Sequence, residues 1–241
     1  MSSSTFLVFE DRPSDSPFVE RVWRAHSTRA GRFLSVASSH CELVISRIGG
    51  TVSATLRGPE TKVSSADCPA QGEWLAIRFA LGAYLPCYTA PMLRDRNDVE
   101  LPATSRSFWL QGSEWEQPGF ENAESLVARL VAAGLLTRDP AVSAALGGDE
   151  QALTKRSAQR HFVAATGMTH RAHRQIARAR HAANLLQRGV SIQDAVHEAG
   201  FFDQAHLSRS LRSLIGETPG QVARREQQLS FLYKTDPRRP A

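Results

Sequence analysis

The sequence predicts an α+β protein, with a β-rich N-terminal part followed by an all-α C-terminal part. Short, partly alternating apolar segments bounded by glycine and proline predict the strands, and apolar residues at helical spacing from residue 122 onward predict the helices. A charge split accompanies this change of pattern. Residues 1–150 hold 14 Lys and Arg against 18 Asp and Glu, whereas residues 151–241 hold 15 against 6. The C-terminal part is therefore basic, which is typical of a surface that meets a polyanion.

Three segments carry the strand prediction. Residues 41–48 and 51–57 are β-branched and partly alternating, and a Gly-Gly pair separates them as a turn. Residues 74–79 form a third segment of the same kind. Short strands at this spacing predict a small barrel or sandwich, and we assign residues 1–120 to this domain.

The helical pattern begins after this domain. Apolar residues at helical spacing predict a linking helix within residues 121–138. Asp139 and Pro140 then suit the N-cap and the first position of another helix, so we place the start of the helical domain at residue 139. This domain is predicted to run to residue 233, and the basic, proline-rich tail 234–241 is predicted to be disordered.

Composition excludes several classes of protein. Hydrophobic residues make up 41% and charged residues 22%, as in ordinary soluble domains. No apolar run approaches the roughly 20 residues of a membrane helix, and the N-terminus lacks the pattern of a signal peptide. We therefore expect a cytoplasmic protein without a membrane partner. The three cysteines form no Cys-x-x-Cys pair, which argues against a disulfide framework or a thiolate metal site.

The most informative pattern lies near the C-terminal end. Ser191 is placed to cap a short helix that ends at Gly200, and Asp203 is placed to cap a second helix. Phe202 and Leu207 have the spacing of a hydrophobic staple at the start of that second helix. Two short helices joined by a glycine turn predict a helix-turn-helix unit.

The outward face of the second helix consists almost wholly of hydrogen-bonding side chains. Arginine can donate two hydrogen bonds to guanine in the major groove, and glutamine can pair with adenine, so this face suits a recognition helix. The predicted DNA contacts are Gln204, His206, Arg209, Ser210 and Arg212.

A similar arrangement precedes this unit. Residues 154–166 predict a helix with Thr154 as its N-cap, and a long helix follows over about residues 169–188. The long helix would span about 28 Å, which is close to the length of one DNA turn, about 34 Å. Two recognition helices could then enter successive major grooves on one face of the duplex. The exposed residues of the first helix are Lys155, Arg156, Gln159 and Arg160.

A nearly continuous series of positions within residues 153–222 carries a family resemblance. The series comprises Gln159-Arg160-x-Phe162, Gly167, Arg178, Ala182, Leu185-Leu186, Ser191-Ile192, Gly200-Phe201, Asp203-Gln204-x-His206-Leu207-Ser208-Arg209, Gly216 and Thr218-Pro219. In these positions the chain resembles the DNA-binding domain of the AraC/XylS transcription regulators. The resemblance implies two helix-turn-helix units joined by a long helix, operator binding on double-stranded DNA, and control of transcription initiation, most often activation through contact with RNA polymerase.

Position by position, the resemblance also implies base-reading residues. These are Arg156, Gln159 and Arg160 in the first unit and Gln204, His206 and Arg209 in the second. The chain departs from the family pattern before the first recognition helix, where only residues 148–153 are available for a leading helix unless the helix from Asp139 takes that place.

The N-terminal domain matches family members only loosely. The resemblance implies a cupin-like domain that senses a small-molecule effector or mediates homodimer formation. Aromatic residues near the third strand suit a ligand pocket, and we nominate Trp74, Phe79 and Tyr84. His40-x-Glu42 is the only fragment of the pattern that a metal-binding cupin requires, so we expect neither a metal nor another cofactor.

Two other readings remain open at the level of sequence. The first is a DNA-modifying or repair enzyme that carries the same DNA-binding module, although the chain lacks the four-cysteine metal site or characteristic cysteine setting of such enzymes. The second is a sensor whose basic half is only a dimerisation bundle. Sequence-selective, salt-sensitive DNA binding would separate the main reading from the second.

Overall fold

The computed structural model describes residues 6–95, 98–147 and 155–230. The N-terminal part consists mainly of strands, and the predicted strand segments lie in β4, β5 and β7. The strands are β1 (Leu7–Pro13), β2 (Val19–Ser27), β3 (Gly31–Ser35), β4 (Glu42–Ile48), β5 (Thr51–Arg57), β6 (Ser64–Cys68), β7 (Glu73–Phe79), β8 (Ala83–Tyr84), β9 (Val99–Leu101), β10 (Ser107–Leu110), β11 (Ser113–Glu116) and β12 (Thr137–Arg138). The helices of this part are α1 (Ala90–Leu93) and α2 (Ala123–Ala132).

An antiparallel sheet of six strands, in the order β1-β2-β7-β4-β5-β9, organises this part. Successive side chains of a strand point to opposite faces, so each strand contributes to two different environments. On β7, Leu75, Ile77 and Phe79 face the larger apolar core. Trp74 and Arg78 lie on the opposite face, which lines a cavity.

Helix α2 belongs to the core of this sheet. Its buried residues Ala123, Leu126, Val127 and Leu130 join the same apolar cluster as the strands. The strand that follows it, β12, pairs with β8. The segment predicted as a linking helix is thus packed on the N-terminal domain, while the domain limits at residues 120 and 138 stay a prediction.

The C-terminal part is helical, which confirms the predicted α+β class. Its helices are α3 (Pro140–Gly147), α4 (Lys155–Thr166), α5 (His170–Gln187), α6 (Ile192–Glu198), α7 (Gln204–Leu214) and α8 (Pro219–Arg224). Side chains cap α5, α6, α7 and α8 as the sequence favours: the caps are Thr169, Ser191, Asp203 and Thr218, and each accepts a backbone N–H from the first turn.

Two of the contacts between the helical domain and the N-terminal domain lie beside α4 and α7. At the first, Phe162 of α4 is buried with Leu81 and Val142. Gly167, which follows α4, lies so close to the backbone of the N-terminal domain that an added Cβ would be 2.9 Å from the Ala90 carbonyl oxygen. This packing fixes α4 against the N-terminal domain.

At the second place, β3 and the loops beside it are hydrogen-bonded to the end of the helical domain. The N–H of Leu34 donates to the carbonyl of Gln228 at 2.9 Å, and the N–H of Ser230 donates back to Leu34 at 2.7 Å. The N–H of Ala37 donates to the carbonyl of Leu214, the last residue of α7, at 2.8 Å. One wall of the N-terminal domain is therefore bonded directly to the C-terminal end of α7.

Candidate nucleic-acid interface

Helices α6 and α7 form the second predicted unit. The hydroxyl of Ser191 accepts the N–H of Asp194 at 3.1 Å, and the carboxylate of Asp203 accepts the N–H of His206 at 2.6 Å. Leu207 and Leu211 of α7 are fully buried in a cluster shared with α5, α6 and α8. Local capping and this buried side together set which face of α7 is exposed.

The predicted contacts of α7 lie on its solvent side to different degrees. Gln204, Arg209 and Arg212 are exposed, whereas His206 and Ser210 are half-buried. The ring of His206 packs edge-on against Phe201, with 5.2 Å between centroids. The structure thus holds the imidazole in place beside the first turn of α7.

The predicted hydrophobic staple is wrong. Phe202 is 91% exposed, so its ring does not pack on Leu207, which is fully buried. Phe201 takes the buried position instead, because the glycine turn at Gly200 directs the first of the two phenylalanines into the helical core. Arg178 of α5 fastens this turn by donating to the Gly200 carbonyl at 3.0 Å, with its guanidinium 5.2 Å from the Phe201 ring centroid.

Helix α4 carries the predicted recognition face of the first unit. Residues 148–153, one of the two segments available as its leading helix, lie outside the described residues, and the other, helix α3, packs against α4. Asp139 caps α3 by accepting the N–H of Ala141 at 2.8 Å, and the other carboxylate oxygen lies 3.0 Å from the ring of His161 on α4. The side chains of α4 predicted to contact DNA are exposed at Arg156, Gln159 and Arg160. Thr154 and the side chain of Lys155 lie outside the described residues.

A partly open cavity of about 460 Å³ occupies the other face of the sheet, beneath β3 and β6. One of the three nominated ligand residues, Trp74, lines it. The structure does not bring the other two there: Phe79 is buried in the core on the opposite face, and Tyr84 packs beside Leu81 at the contact with α4. Other aromatic residues that sequence reasoning missed line the cavity, namely Phe9, Trp23 and Phe33.

The cavity has a buried charged end. Arg78 forms an ion pair with Glu42, and the indole N–H of Trp23 donates to the same carboxylate at 3.3 Å. Burial by itself would raise the pKa of Glu42, but the charge and hydrogen bond of Arg78 outweigh it and hold the pKa below its usual value. Glu42 is therefore a carboxylate inside the protein, and the pair offers both a cationic and an anionic group to a polar ligand.

A second polar cluster connects this end of the cavity to α5. His40 lies 3.3 Å from Glu20, and His173 of α5 is hydrogen-bonded to Ser39 at 2.8 Å. Burial lowers the pKa of both His40 and His173 to about 3, so both rings are neutral at physiological pH. Arg180 of α5 lines the cavity and donates to the Ala37 carbonyl at 2.9 Å. The long helix thus contributes a side chain to the cavity of the other domain.

Two of the three cysteines do not have the environment of a nucleophile. Burial raises the pKa of Cys41 to about 12, and burial also raises that of Cys68. A thiolate is disfavoured at both positions, which gives no support to the repair-enzyme reading. Across the described ranges, no group of three or more His, Cys, Asp and Glu side chains is arranged to hold a metal ion.

Comparison with known proteins locates the similarity in the helical domain. Residues 149–225 match a family model described as a helix-turn-helix domain. The chain has no significant match among curated proteins or among solved structures. Within the described residues, none of the helices combines the length and the apolar character that crossing a membrane requires.

Proposed function

We propose that the chain is an AraC/XylS-type regulator that binds double-stranded DNA at two half-sites and activates transcription in response to a small molecule. The match of residues 149–225 to a helix-turn-helix domain supports this proposal. Arg156, Gln159 and Arg160 read one half-site, and Gln204, His206 and Arg209 read the other. Lys155, Ser210 and Arg212 contact the DNA backbone. The proposed regulator carries out no catalysis of its own.

One observation carries the two-site reading. Two helices expose polar faces, and α5 holds them a fixed distance apart: its 18 residues correspond to about 27 Å. Thr169 caps the start of α5 beside α4, and Arg178, at the middle of α5, donates to the Gly200 turn that precedes α7. Such a spacer matches recognition helices in successive major grooves, whose centres lie about 34 Å apart.

The cavity supports effector sensing. It combines aromatic walls with the Glu42–Arg78 pair, which is the usual composition of a site for a small amphipathic molecule. Its wall includes β3 and Arg180, and both are bonded to the helical domain. A ligand that displaces this wall would alter the position of α7, so we propose the cavity as the effector site.

The remaining partners rest on the family resemblance. We propose RNA polymerase as the protein partner at the promoter, and a homodimer formed through the N-terminal domain. Transcription in vitro from a promoter that carries the selected operator tests activation: a rise in transcript with added regulator supports it, and a fall indicates a repressor. Sedimentation with and without DNA tests the dimer, and a monomer in both conditions would exclude it.

The first experiment is selection of bound sequences from random duplex DNA by the full chain at physiological salt. Two enriched half-sites about 10 base pairs apart support the proposal. A single enriched half-site would mean that the first unit does not read bases. Absence of enrichment, with every sequence bound alike, would overturn the sequence-specific reading.

The effector site is tested by a small-molecule screen that follows thermal stability and tryptophan fluorescence. Trp23 and Trp74 line the cavity, so a bound compound is expected to change their emission and raise the melting temperature. Ala25 is buried and also lines the cavity, and Ala25→Leu fills part of it. This variant is expected to bind the operator and to lose the response; an unchanged response would place the effector elsewhere.

A further inference from the structure

A row of arginines follows the exposed side of α5. Arg171, Arg174 and Arg178 are spaced three and four residues apart and therefore lie on one side of the helix. With three neighbours they line an open cleft of about 370 Å³ between α5 and the start of α7. The lining residues are His170, Arg171, Arg174, Gln175, Arg178 and His206.

The cleft lies along α5, between the contacts that this helix makes with α4 and with the turn before α7. At one end, the ring of His170 packs against Phe162 of α4, with 5.0 Å between centroids. At the other end, His206 belongs to the first turn of α7, and Arg178 bonds the turn that precedes it. The arginine row thus runs from the end of the first recognition helix to the start of the second.

The chemistry of the cleft is that of an anion site. Its lining contains three guanidinium groups and two imidazoles and no carboxylate. Within residues 6–95, 98–147 and 155–230, neither Arg171 nor Arg174 forms a salt bridge. Burial and the nearby charge of Arg174 lower the pKa of His170. The positive charge of the cleft therefore comes from its three guanidinium groups, while the lowered pKa of His170 favours a neutral ring.

We infer that this cleft binds phosphate groups of the DNA backbone that border the minor groove between the two half-sites. When two helices occupy successive major grooves on one face of a duplex, the intervening minor groove and its flanking strands face the connecting helix. Guanidinium groups bind such phosphates with charge-assisted hydrogen bonds and carry no base preference. The inference rests on the proposed two-site reading and adds a third contact region, on the connecting helix.

The test is the salt dependence of DNA binding by Arg171→Ala/Arg174→Ala in the full chain. Each lost phosphate contact lowers the slope of log Kd against log salt by about 0.9, so the slope should fall by about 2. Between 50 and 200 mM salt, the double variant should lose about tenfold less affinity than the wild type. The effect should be equal on selected and unrelated duplexes, because the contact is not sequence-specific.

Arg188→Ala is the matched control, since Arg188 is an exposed arginine at the end of the same helix and outside the cleft. For Arg188→Ala, the slope of log Kd against log salt should exceed that of the double variant and stay close to the wild-type value. The melting temperature of the double variant should equal that of the wild type, because both side chains are exposed. A wild-type slope in the double variant, with operator selection intact, would overturn the inference and leave the proposed function standing.

A second experiment changes the DNA instead of the protein. Methylphosphonate linkages at the spacer between the half-sites remove the phosphate charge there. They should weaken binding by the wild type and have no further effect on the double variant. If the salt slope falls in the double variant but the neutralised DNA binds the wild type normally, the cleft binds a free anion and the inference is wrong. Failure to select any operator would instead contradict the proposed function.

Discussion

The two helix-turn-helix units are held in place by different parts of the molecule. In the second unit, the caps Ser191 and Asp203 and the buried Leu207 and Leu211 all come from the helical domain itself. In the first unit, Phe162 is buried partly against Leu81 of the N-terminal domain. The core of the second unit is thus built mainly within the helical domain, with Val36 of the N-terminal domain at its edge, whereas the first unit is packed on Leu81 of the N-terminal domain. The N-terminal domain contacts the first unit through Phe162 and the second through the bond from Ala37 to Leu214.

The largest expected difference between the units comes from core truncation. Phe162→Ala should cost about 3–5 kcal/mol of unfolding free energy, because a large buried ring leaves a cavity. It should also weaken protection of the first half-site in footprinting while sparing the second. Leu207→Ala, at a fully buried position of the second unit, is the matched control and should show the reverse pattern. Equal loss at both half-sites in both variants would mean that the units are not independent.

The next effect separates local strain from domain contact. Gly167 and Gly200 have left-handed φ angles of 72° and 69°, so alanine should cost about 1–2 kcal/mol at either position. At Gly200 an added Cβ meets open space, but at Gly167 it meets the Ala90 carbonyl and Pro59. Gly167→Ala should therefore cost about 1–3 kcal/mol more than Gly200→Ala, because the added Cβ overpacks this contact. Urea denaturation measures the loss of unfolding free energy in each variant. An equal loss in Gly167→Ala and Gly200→Ala would contradict the tight domain contact at Gly167.

A smaller effect tests base reading in each unit. Arg209→Ala should cost about 1–3 kcal/mol at the operator and relax preference at one base pair of the second half-site. Arg160→Ala should do the same at the first half-site. Binding to a panel of single-base operator variants gives the measurement. Equal weakening on every sequence would instead place the side chain on a phosphate.

The smallest effect concerns the neutral histidine at the domain contact. Burial holds the folded pKa of His173 near 3, below the usual value, with His40 and His170 adding to the shift and Glu20 opposing it. The unfolded chain then binds more protons below about pH 6.5, so the stability from this group is present above that pH and is lost as the pH falls toward 3. Between pH 7 and 5.5 the loss should be about 1 kcal/mol.

His173→Gln, which keeps a hydrogen-bonding group beside Ser39, is the control for this titration. Chemical denaturation at both pH values should show a smaller loss for the variant than for the wild type. The same loss in both proteins would assign the pH dependence to other groups.

The strand prediction shows where periodicity succeeds and where it is obscured. Strands β4 and β5 are β-branched and share a glycine turn, and both were predicted with limits close to the observed ones. Strands β1 and β2 were missed because charged residues occupy many of their positions. Asp11 pairs with Arg21 and Glu10 with Arg24 across the two strands, each at 2.6 Å. Only the sheet pairing turns these charges into a stabilising pattern.

The ligand nominations show a similar limit. Trp74 and Phe79 are an odd number of residues apart on β7, so they face opposite sides of the sheet, and only Trp74 reaches the cavity. The alternation alone indicates that the two cannot share a pocket, although it does not tell which face holds it. Trp23, Glu42 and Arg78 come together from three strands, and their separation along the chain conceals the site.

The sequence by itself determined the local features of the helical domain. Caps, glycine stops and the spacing of apolar residues act within one or two helical turns, so they place α5, α6 and α7 and the exposed face of α7 without knowledge of the rest. Tertiary structure decided which phenylalanine of Phe201-Phe202 is buried and how Arg180 enters the cavity of the other domain. These outcomes depend on contacts between residues far apart in the chain, and such contacts leave no periodic signal in the sequence.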